Sequence, residues 1–187
     1  MSKPFIIKNN AQPSTSWSGG ETTELFIFPE AAEYSKLNFD FRLSTATVNV
    51  KKSVFTPLNG IRRTLIVLKG HLKLEHENHH VIDLGPFDSD SFWGDWKTTS
   101  MGRVLNFNIM MGNSTHCQHE VLNLGQSECF NEINSQDFSC FFLFQGDLDT
   151  NCGVMTSGDI LIVPKEGLCQ FEAIADSVII RILVSLI

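Results

Sequence analysis

Residues 65–72 read LIVLKGHL, and residues 141–148 read FFLFQGDL. Each stretch is an apolar run that ends in one polar residue and a glycine, followed by a further short segment that closes with leucine. Short apolar runs bounded by glycine are typical of buried β-strands. Because repeated patterns indicate duplicated architecture, these two stretches predict two similar β-units in one chain.

The turns after each copy strengthen this prediction. Gly70 and Gly146 are 76 residues apart, and the turn glycines Gly85 and Gly158 are 73 residues apart, so the two copies keep nearly the same spacing. The order of strand, turn glycine, strand, turn and closing strand is typical of a cupin-like jelly roll. We therefore predict an all-β protein with two cupin-like β-barrel (jelly-roll) units. The closing strands are predicted at residues 104–111 and 178–187.

The predicted boundaries follow from these strands. Residues 1–111 form the first unit with a presumed ligand pocket, residues 112–126 a polar connector, and residues 127–187 a second, smaller unit. No window of the sequence shows a sustained helical period, whereas alternation of apolar and polar residues recurs throughout.

Composition excludes some classes of function. The chain carries 14 Lys and Arg against 21 Asp and Glu, a formal net charge of −7. Nucleic-acid binding depends largely on basic contacts to phosphate, so no nucleic-acid partner is expected. A hydrophobic content of 42% provides ample material for a core, which excludes general disorder.

The lack of a recognisable targeting signal and the spacing of the cysteines favour a cytoplasmic location. The apolar run at residues 5–7 is too short for a signal-peptide core, and residues 178–187 are too few to span a bilayer as a helix. The five cysteines show no CxxC spacing, which favours free thiols in a reducing compartment. We expect no membrane partner, and the oligomeric state is left open between a monomer and a homodimer.

Four blocks occur in order along the first predicted unit. They are WSGGETTE (17–24), FRLSTA (41–46), FTPLNGIRR (55–63) and NFNIM (106–110). Together they resemble the HutD/Ves family of bacterial bicupin proteins, whose hallmarks are W-x-x-G-x-T-x-E, R-x-S-x-A, F-S-x-F-x-G-x-x-R and D-F-N-x-M. The resemblance implies a double cupin, often associated with histidine utilisation, without a firmly assigned reaction. The sequence departs from the family at Asn106, where an Asp is usual, and at Thr56, where a Ser is usual.

A metal centre is the first question for a cupin-like barrel, because His and carboxylate ligands on neighbouring strands can converge on one ion. The six histidines are His71, His76, His79, His80, His116 and His119. Those at residues 76, 79 and 80 flank a predicted hairpin tip and are expected to point to solvent, and the closing strand 104–110 contains no His. We therefore predict no metal site, no stoichiometric transition metal and no cofactor. No G-x-S-x-G motif or recognisable catalytic Cys indicates nucleophilic catalysis either.

Polar residues inside otherwise apolar strands are the remaining candidates. Alternation places Arg42 on one face with Ser44, and Asn106 on one face with Asn108. If these faces point inward, the arginines supply planar donors suited to a carboxylate, and the neutral groups orient it. The alternative is structural: Glu24 and one arginine form a buried ion pair that holds the barrel together. The candidate ligand-binding residues are Trp17, Thr22, Glu24, Arg42, Ser44, Arg63, Asn106 and Asn108.

Three classes of function remain on sequence grounds. The leading hypothesis is a metal-free binding protein for a small carboxylate metabolite, a modulator in histidine or other amino-acid catabolism as the resemblance implies. The runner-up is an isomerase or hydrolase with Glu24 as acid/base and Arg63 as oxyanion stabiliser. The third is a scaffold whose second unit serves only packing or dimerisation.

Overall fold

The computed structural model describes residues 3–187, which form β-strands and two short 3-10 helices, Asn9–Ala11 and Tyr34–Lys36. The strands are β1 (Phe5–Ile7), β2 (Ser14–Trp17), β3 (Gly20–Phe28), β4 (Phe41–Val48), β5 (Lys52–Val54), β6 (Arg62–Gly70), β7 (Leu72–His76), β8 (Val81–Leu84), β9 (Ser89–Trp93), β10 (Thr98–Met101), β11 (Val104–Met111), β12 (Thr115–Leu124), β13 (Cys129–Ile133), β14 (Phe138–Gln145), β15 (Asp147–Thr150), β16 (Gly153–Thr156), β17 (Ile160–Pro164), β18 (Leu168–Ala173) and β19 (Ser177–Leu186). Over this range no helix is long and apolar enough to cross a membrane. The all-β prediction is confirmed.

The chain divides into two compact units whose bounds differ from those expected. The first unit is residues 13–114, and the second unit is residues 115–187 together with residues 3–12. The stretch 112–126, predicted as a connector, contains β12, which pairs with β19 along its whole length. Its polar residues form the more exposed face of an alternating strand, and for this reason the stretch resembles a polar linker in the sequence.

The first unit consists of two antiparallel sheets. One has the strand order β2-β3-β4-β11-β6-β9 and the other β5-β10-β7-β8. Leu65 and Val67 of β6, Leu72 and Leu74 of β7, and Phe92 of β9 belong to one buried apolar cluster. Apolar residues from both sheets therefore share this core, as expected when two sheets pack face to face.

The second unit repeats the arrangement with sheets β1-β17-β14-β19-β12 and β13-β18-β15-β16. Strand β1 pairs with β17, which is why residues 3–12 belong to this unit. Its interior is packed with apolar side chains: Phe141, Leu143, Leu148, Met155, Leu161, Val163, Cys169, Phe171, Ala173 and Ile179.

The two glycines of the sequence repeat occupy equivalent turns. Gly70 has φ +91° and Gly146 has φ +97°, a backbone region that side chains rarely adopt. A Cβ at Gly70 would lie 2.6 Å from the carbonyl oxygen of Arg103, and one at Gly146 would lie 2.1 Å from Ser177 Oγ. Both positions thus require glycine, which explains why the pattern recurs.

Candidate functional site

A cavity of about 710 Å³ lies in the first unit. All eight candidate residues predicted from the sequence line it: Trp17, Thr22, Glu24, Arg42, Ser44, Arg63, Asn106 and Asn108. The structure thus brings the whole set together, whereas their role in ligand binding stays a prediction.

Strand register explains why these residues converge. In β11, Asn106 lies opposite Ala46 of β4, and Asn108 lies opposite Ser44. Residues directly opposite each other on paired strands share a face of the sheet, and alternate residues along a strand do so as well. The two predicted polar faces are therefore one continuous surface, and it lines the cavity.

Arg42 is held by partners on several sides. Its Nε donates to Glu24 Oε2 at 2.7 Å, its Nη1 donates to Ser44 Oγ at 3.1 Å, and its guanidinium carbon lies 4.2 Å from the centre of the Tyr34 ring. The Arg42 side chain is 5% exposed and that of Glu24 26% exposed. The ion pair between Glu24 and an arginine, which the sequence analysis gave as the structural alternative, is thus present, and the arginine is Arg42.

Arg63 has a different environment. Its Nη2 donates to Asn108 Oδ1 at 3.1 Å, and Asn108 Nδ2 in turn donates to Asn106 Oδ1 at 2.6 Å. The guanidinium carbon lies 4.7 Å from the ring centre of Phe55 and 5.2 Å from that of Phe92. Arg63 Nε is buried without a hydrogen-bond partner, and within residues 3–187 no carboxylate forms a salt bridge with Arg63.

The charge of Arg63 is therefore not neutralised inside the cavity wall. Burial lowers the pKa of Arg63 to about 10; Tyr34 acts in the opposite direction and Arg42 has a smaller lowering effect, so the group is still protonated at neutral pH. The second carboxylate in the lining, Glu33, is exposed and pairs with Lys36. A buried cation that lacks an anionic partner favours an anionic ligand.

Trp17 and Thr22 belong to the β2–β3 hairpin. Trp17 pairs with Gly20, and its ring lies so close to Gly19 that a Cβ at Gly19 would be 2.0 Å from a ring atom. Gly19, in the turn between β2 and β3, thus leaves room for the indole beside the cavity. Trp17 is 39% exposed, as suits a residue near an opening.

Of the lining residues that were not predicted, three contact the arginines: Tyr34, Phe55 and Met110. Tyr34 lies in a 3-10 helix without strand periodicity, so no pattern signals it. Phe55 lies within the quoted block 55–63, and Met110 continues the Asn106–Asn108 face, so the alternation of β11 could have indicated Met110.

The cavity does not fit a transition metal. Its lining among the described residues includes no His and no Cys, and the buried donors at its wall are guanidinium groups, which cannot act as metal ligands. The oxygen of Glu24 nearest Arg42 is already in an ion pair.

One sequence prediction about histidine was wrong. His76 does not point to solvent: it is 2% exposed and continues the inward face of β7 formed by Leu72 and Leu74. Burial lowers the pKa of His76, although its hydrogen bond with Asp90 acts in the opposite direction. His79 is exposed, as expected, and stacks on Trp96 with ring centres 3.6 Å apart.

A family model described as HutD matches residues 9–180. No curated protein shows significant sequence similarity to the chain.

Several solved structures are similar over almost the whole chain. A conserved protein of unknown function from Pseudomonas aeruginosa PAO1 has a TM-score of 0.79 at 18% identity, covering 98% of this chain and 100% of that one. HutD from Pseudomonas fluorescens SBW25, in a formate condition, has a TM-score of 0.76 at 17% identity, with 98% and 99% covered. The bacterial pirin YhhW from Escherichia coli, in complex with nickel(II), has a TM-score of 0.77 at 10% identity, with 98% and 100% covered. The predicted cupin-like fold with two barrel units is thereby confirmed.

Proposed function

This chain belongs to the HutD family, and from that premise we propose that it is a binding protein for a small carboxylate metabolite. The ligand occupies the cavity of the first unit, and its carboxylate meets the Arg63 guanidinium. As the family resemblance implies, the ligand is an intermediate of histidine or other amino-acid catabolism, and the protein acts as a modulator of that catabolism.

The observation that carries this proposal is the unpaired Arg63. Burying an ionised group without a partner costs several kcal/mol, on the order of the stability of a small domain. Arg63 is 8% exposed and its Nε has no partner, yet it lines a cavity large enough for a metabolite. A ligand carboxylate would provide the missing anion, and the planar guanidinium is suited to bind it through two hydrogen bonds.

The neighbouring side chains account for orientation and shape. Asn106 and Asn108 form a hydrogen-bonded pair beside Arg63 and contribute neutral polar groups. Trp17, Tyr34 and Phe55 add aromatic surface to the same cavity. Small-molecule sites commonly combine a mostly apolar lining with a few fixed polar groups, and their volumes are about 300–1,000 Å³.

The proposed binding requires no metal in the cavity. Nickel is bound by the structurally similar pirin YhhW, but imidazole and thiol ligands are missing from the described lining here. Two guanidinium groups would repel a cation, whereas they attract a carboxylate.

Titration calorimetry tests the proposal. Formylglutamate, urocanate and glutamate are titrated into the full chain, with formate as the smallest carboxylate probe. Replacing Arg63 by Ala removes a charge-assisted hydrogen bond to the ligand, worth about 1.5–3 kcal/mol, so the affinity should fall about tenfold to hundredfold.

Arg62 provides the matched control. It precedes Arg63 on β6, does not line the cavity, and lies over the Trp93 ring at 5.9 Å. Arg62→Ala removes the same formal charge and should leave the affinity within about twofold, since surface charges are screened. An equal loss of affinity in both variants, or no binding of any of the four carboxylates to the parent chain, would contradict the proposal.

A second candidate function is an isomerase or hydrolase. It is favoured by one observation: Glu24, a carboxylate, lines the same cavity as Arg63, so an acid/base group and a cation both lie at the wall. The two functions differ in turnover. Conversion of a bound carboxylate, followed by NMR and abolished by Glu24→Gln without loss of binding, would establish the enzyme; binding without conversion supports the binding protein.

A further inference from the structure

A second group of polar side chains lies in the first unit, and none of its members lines the cavity. His76 ends β7, His80 precedes β8, and Asp90 lies in β9. His76 Nε2 is 2.9 Å from Asp90 Oδ2, and His80 Nε2 is 3.0 Å from the same oxygen. Because β7 and β9 belong to different sheets, this group joins the two sheets of the unit.

His76 makes hydrogen-bond contacts through both ring nitrogens. The Thr98 hydroxyl donates to the carbonyl oxygen of Trp96 at 3.2 Å. With its single proton in that bond, Thr98 Oγ1 is free to accept from His76 Nδ1, 2.8 Å away. In a neutral ring with Nδ1 protonated, Nε2 carries only a lone pair.

That lone pair is directed at a carboxylate. His76 Nε2 and Asp90 Oδ2 are then two acceptors at hydrogen-bond distance, and His80 Nε2 approaches the same carboxylate at 3.0 and 3.1 Å. In this tautomer His76 Nε2 and Asp90 are both free to bind a cation; in the other tautomer Nε2 donates to Asp90, and a bound metal ion would displace that proton.

We propose that His76, His80 and Asp90 form a binding site for a divalent transition metal ion of the zinc type. Two imidazoles and a carboxylate are a common ligand set for such ions, with a water in the remaining position. The candidate ligand atoms lie within 4.8 Å of one another. Ligand bonds of about 2.0–2.2 Å in a tetrahedral site place ligand atoms about 3.3–3.6 Å apart, so each histidine nitrogen needs to move from Asp90 by only a few tenths of an ångström.

The surroundings of the three groups are also typical of metal-binding sites. Thr98 orients His76 through its second nitrogen, as outer hydrogen bonds do for metal-binding histidines. His80 is 39% exposed, which gives an ion and its water access from solvent. A bound ion would connect the β7–β8 hairpin with β9. The sequence-based expectation of no metal rested in part on solvent-facing histidines, and the burial of His76 removes that reason.

Zinc titration of the untagged, metal-stripped chain tests the site. One Zn²⁺ should bind per chain, raise the thermal midpoint by mass action, and be replaceable by Co²⁺ with visible absorption bands of a bound ion. His80→Ala should weaken zinc binding by more than about a hundredfold, because loss of a direct ligand exceeds the 10–100-fold effect of losing an outer partner. Asp90→Asn keeps the shape of the side chain and should weaken binding as well.

His79→Ala is the matched control, since His79 is an exposed neighbour outside the ligand group. It should keep the zinc affinity of the parent within about threefold, because it removes a nearby imidazole but no ligand. Zinc binding that His80→Ala and Asp90→Asn leave unchanged, a loss as large in His79→Ala, or no stoichiometric binding by the folded parent would each overturn the proposal. Carboxylate binding in the cavity is measured separately, so the two proposals fail independently.

Discussion

Equivalent strands of the two units present different side chains at the same register positions. In the first unit, Asn108 of β11 lies opposite Leu65 of β6. In the second unit, Arg181 of β19 lies opposite Phe141 of β14, which is 76 residues after Leu65. One pair lines a cavity, and the other packs among buried aromatic rings.

The arginines of the two units differ in how they are neutralised. Arg181 pairs with two carboxylates, Glu120 at 2.6 Å and Glu132, and lies over the rings of Phe130 and Phe141. The cavity holds two arginines and one inward glutamate, and Arg63 has only Asn108 as a hydrogen-bond partner there. The same fold therefore serves packing in one unit and leaves an unpaired positive charge at a cavity in the other, which shows that a site depends on side chains rather than on the fold.

The sequence offers a separate probe for each unit. All three tryptophans, Trp17, Trp93 and Trp96, lie in the first unit, so their fluorescence reports on that unit. All five cysteines lie in the second unit. Cys140 and Cys169 are buried, and burial raises the pKa of both thiols, so their labelling requires opening of this unit.

The largest effect is expected in the filled interior. Phe141→Ala should lower the free energy of unfolding of the second unit by about 3–5 kcal/mol, because it leaves a cavity among buried rings. Leu65→Ala should cost the first unit only about 2–3 kcal/mol, because part of its surface already faces a cavity. Urea unfolding followed by labelling of Cys140 and Cys169, and by tryptophan fluorescence, measures the two values. Equal losses would contradict the difference in packing.

A smaller effect is expected at the ion pairs. Glu24→Gln removes the charge that neutralises buried Arg42 and should cost about 1–3 kcal/mol of unfolding free energy. Glu132→Gln should cost no more than about 1 kcal/mol, because Glu132 is 37% exposed and Arg181 keeps Glu120. Chemical unfolding with the probe of each unit tests the order. A larger loss for Glu132→Gln would show that the second unit, not the cavity, depends on its ion pair.

Much of the fold and the composition of the candidate site could be predicted because successive side chains of a strand point to opposite faces of the sheet. A period of two placed Asn106 with Asn108 and Arg42 with Ser44, and the structure adds only that these faces turn inward. The repeat around Gly70 was readable because its backbone conformation and close contacts require glycine.

The remaining features depend on tertiary contacts, which the alternation of side chains along a strand does not reveal. Glu24 lies opposite Ser44 of β4, which shares a face with Arg42, so the pairing of the two strands decides that Arg42 is its partner. Tyr34 reaches Arg42 from an irregular segment. His76 could have been placed on the inward face of β7 from its spacing to Leu74, but its position beside a hairpin suggested solvent. Tertiary contacts, rather than local pattern, settle these points.

The smallest effect on folding is expected at Arg63, the buried arginine without a carboxylate partner. Arg63→Met should change the unfolding free energy of the ligand-free first unit by no more than about 1 kcal/mol. The buried charge is lost together with its unfavourable desolvation, and methionine retains contact with Phe55 and Phe92. The same substitution at the buried arginine of the second unit, Arg181→Met, should cost more, because Glu120 and Glu132 then lose their shared partner. Tryptophan fluorescence for Arg63→Met and thiol labelling for Arg181→Met give the two values in urea.

If Arg63→Met lowered the unfolding free energy by about 3 kcal/mol or more, Arg63 would be a structural group like Arg181. A near-neutral change accompanied by loss of carboxylate binding would instead show that Arg63 serves ligand binding. The bound carboxylate would then offset the free-energy cost of burying its charge.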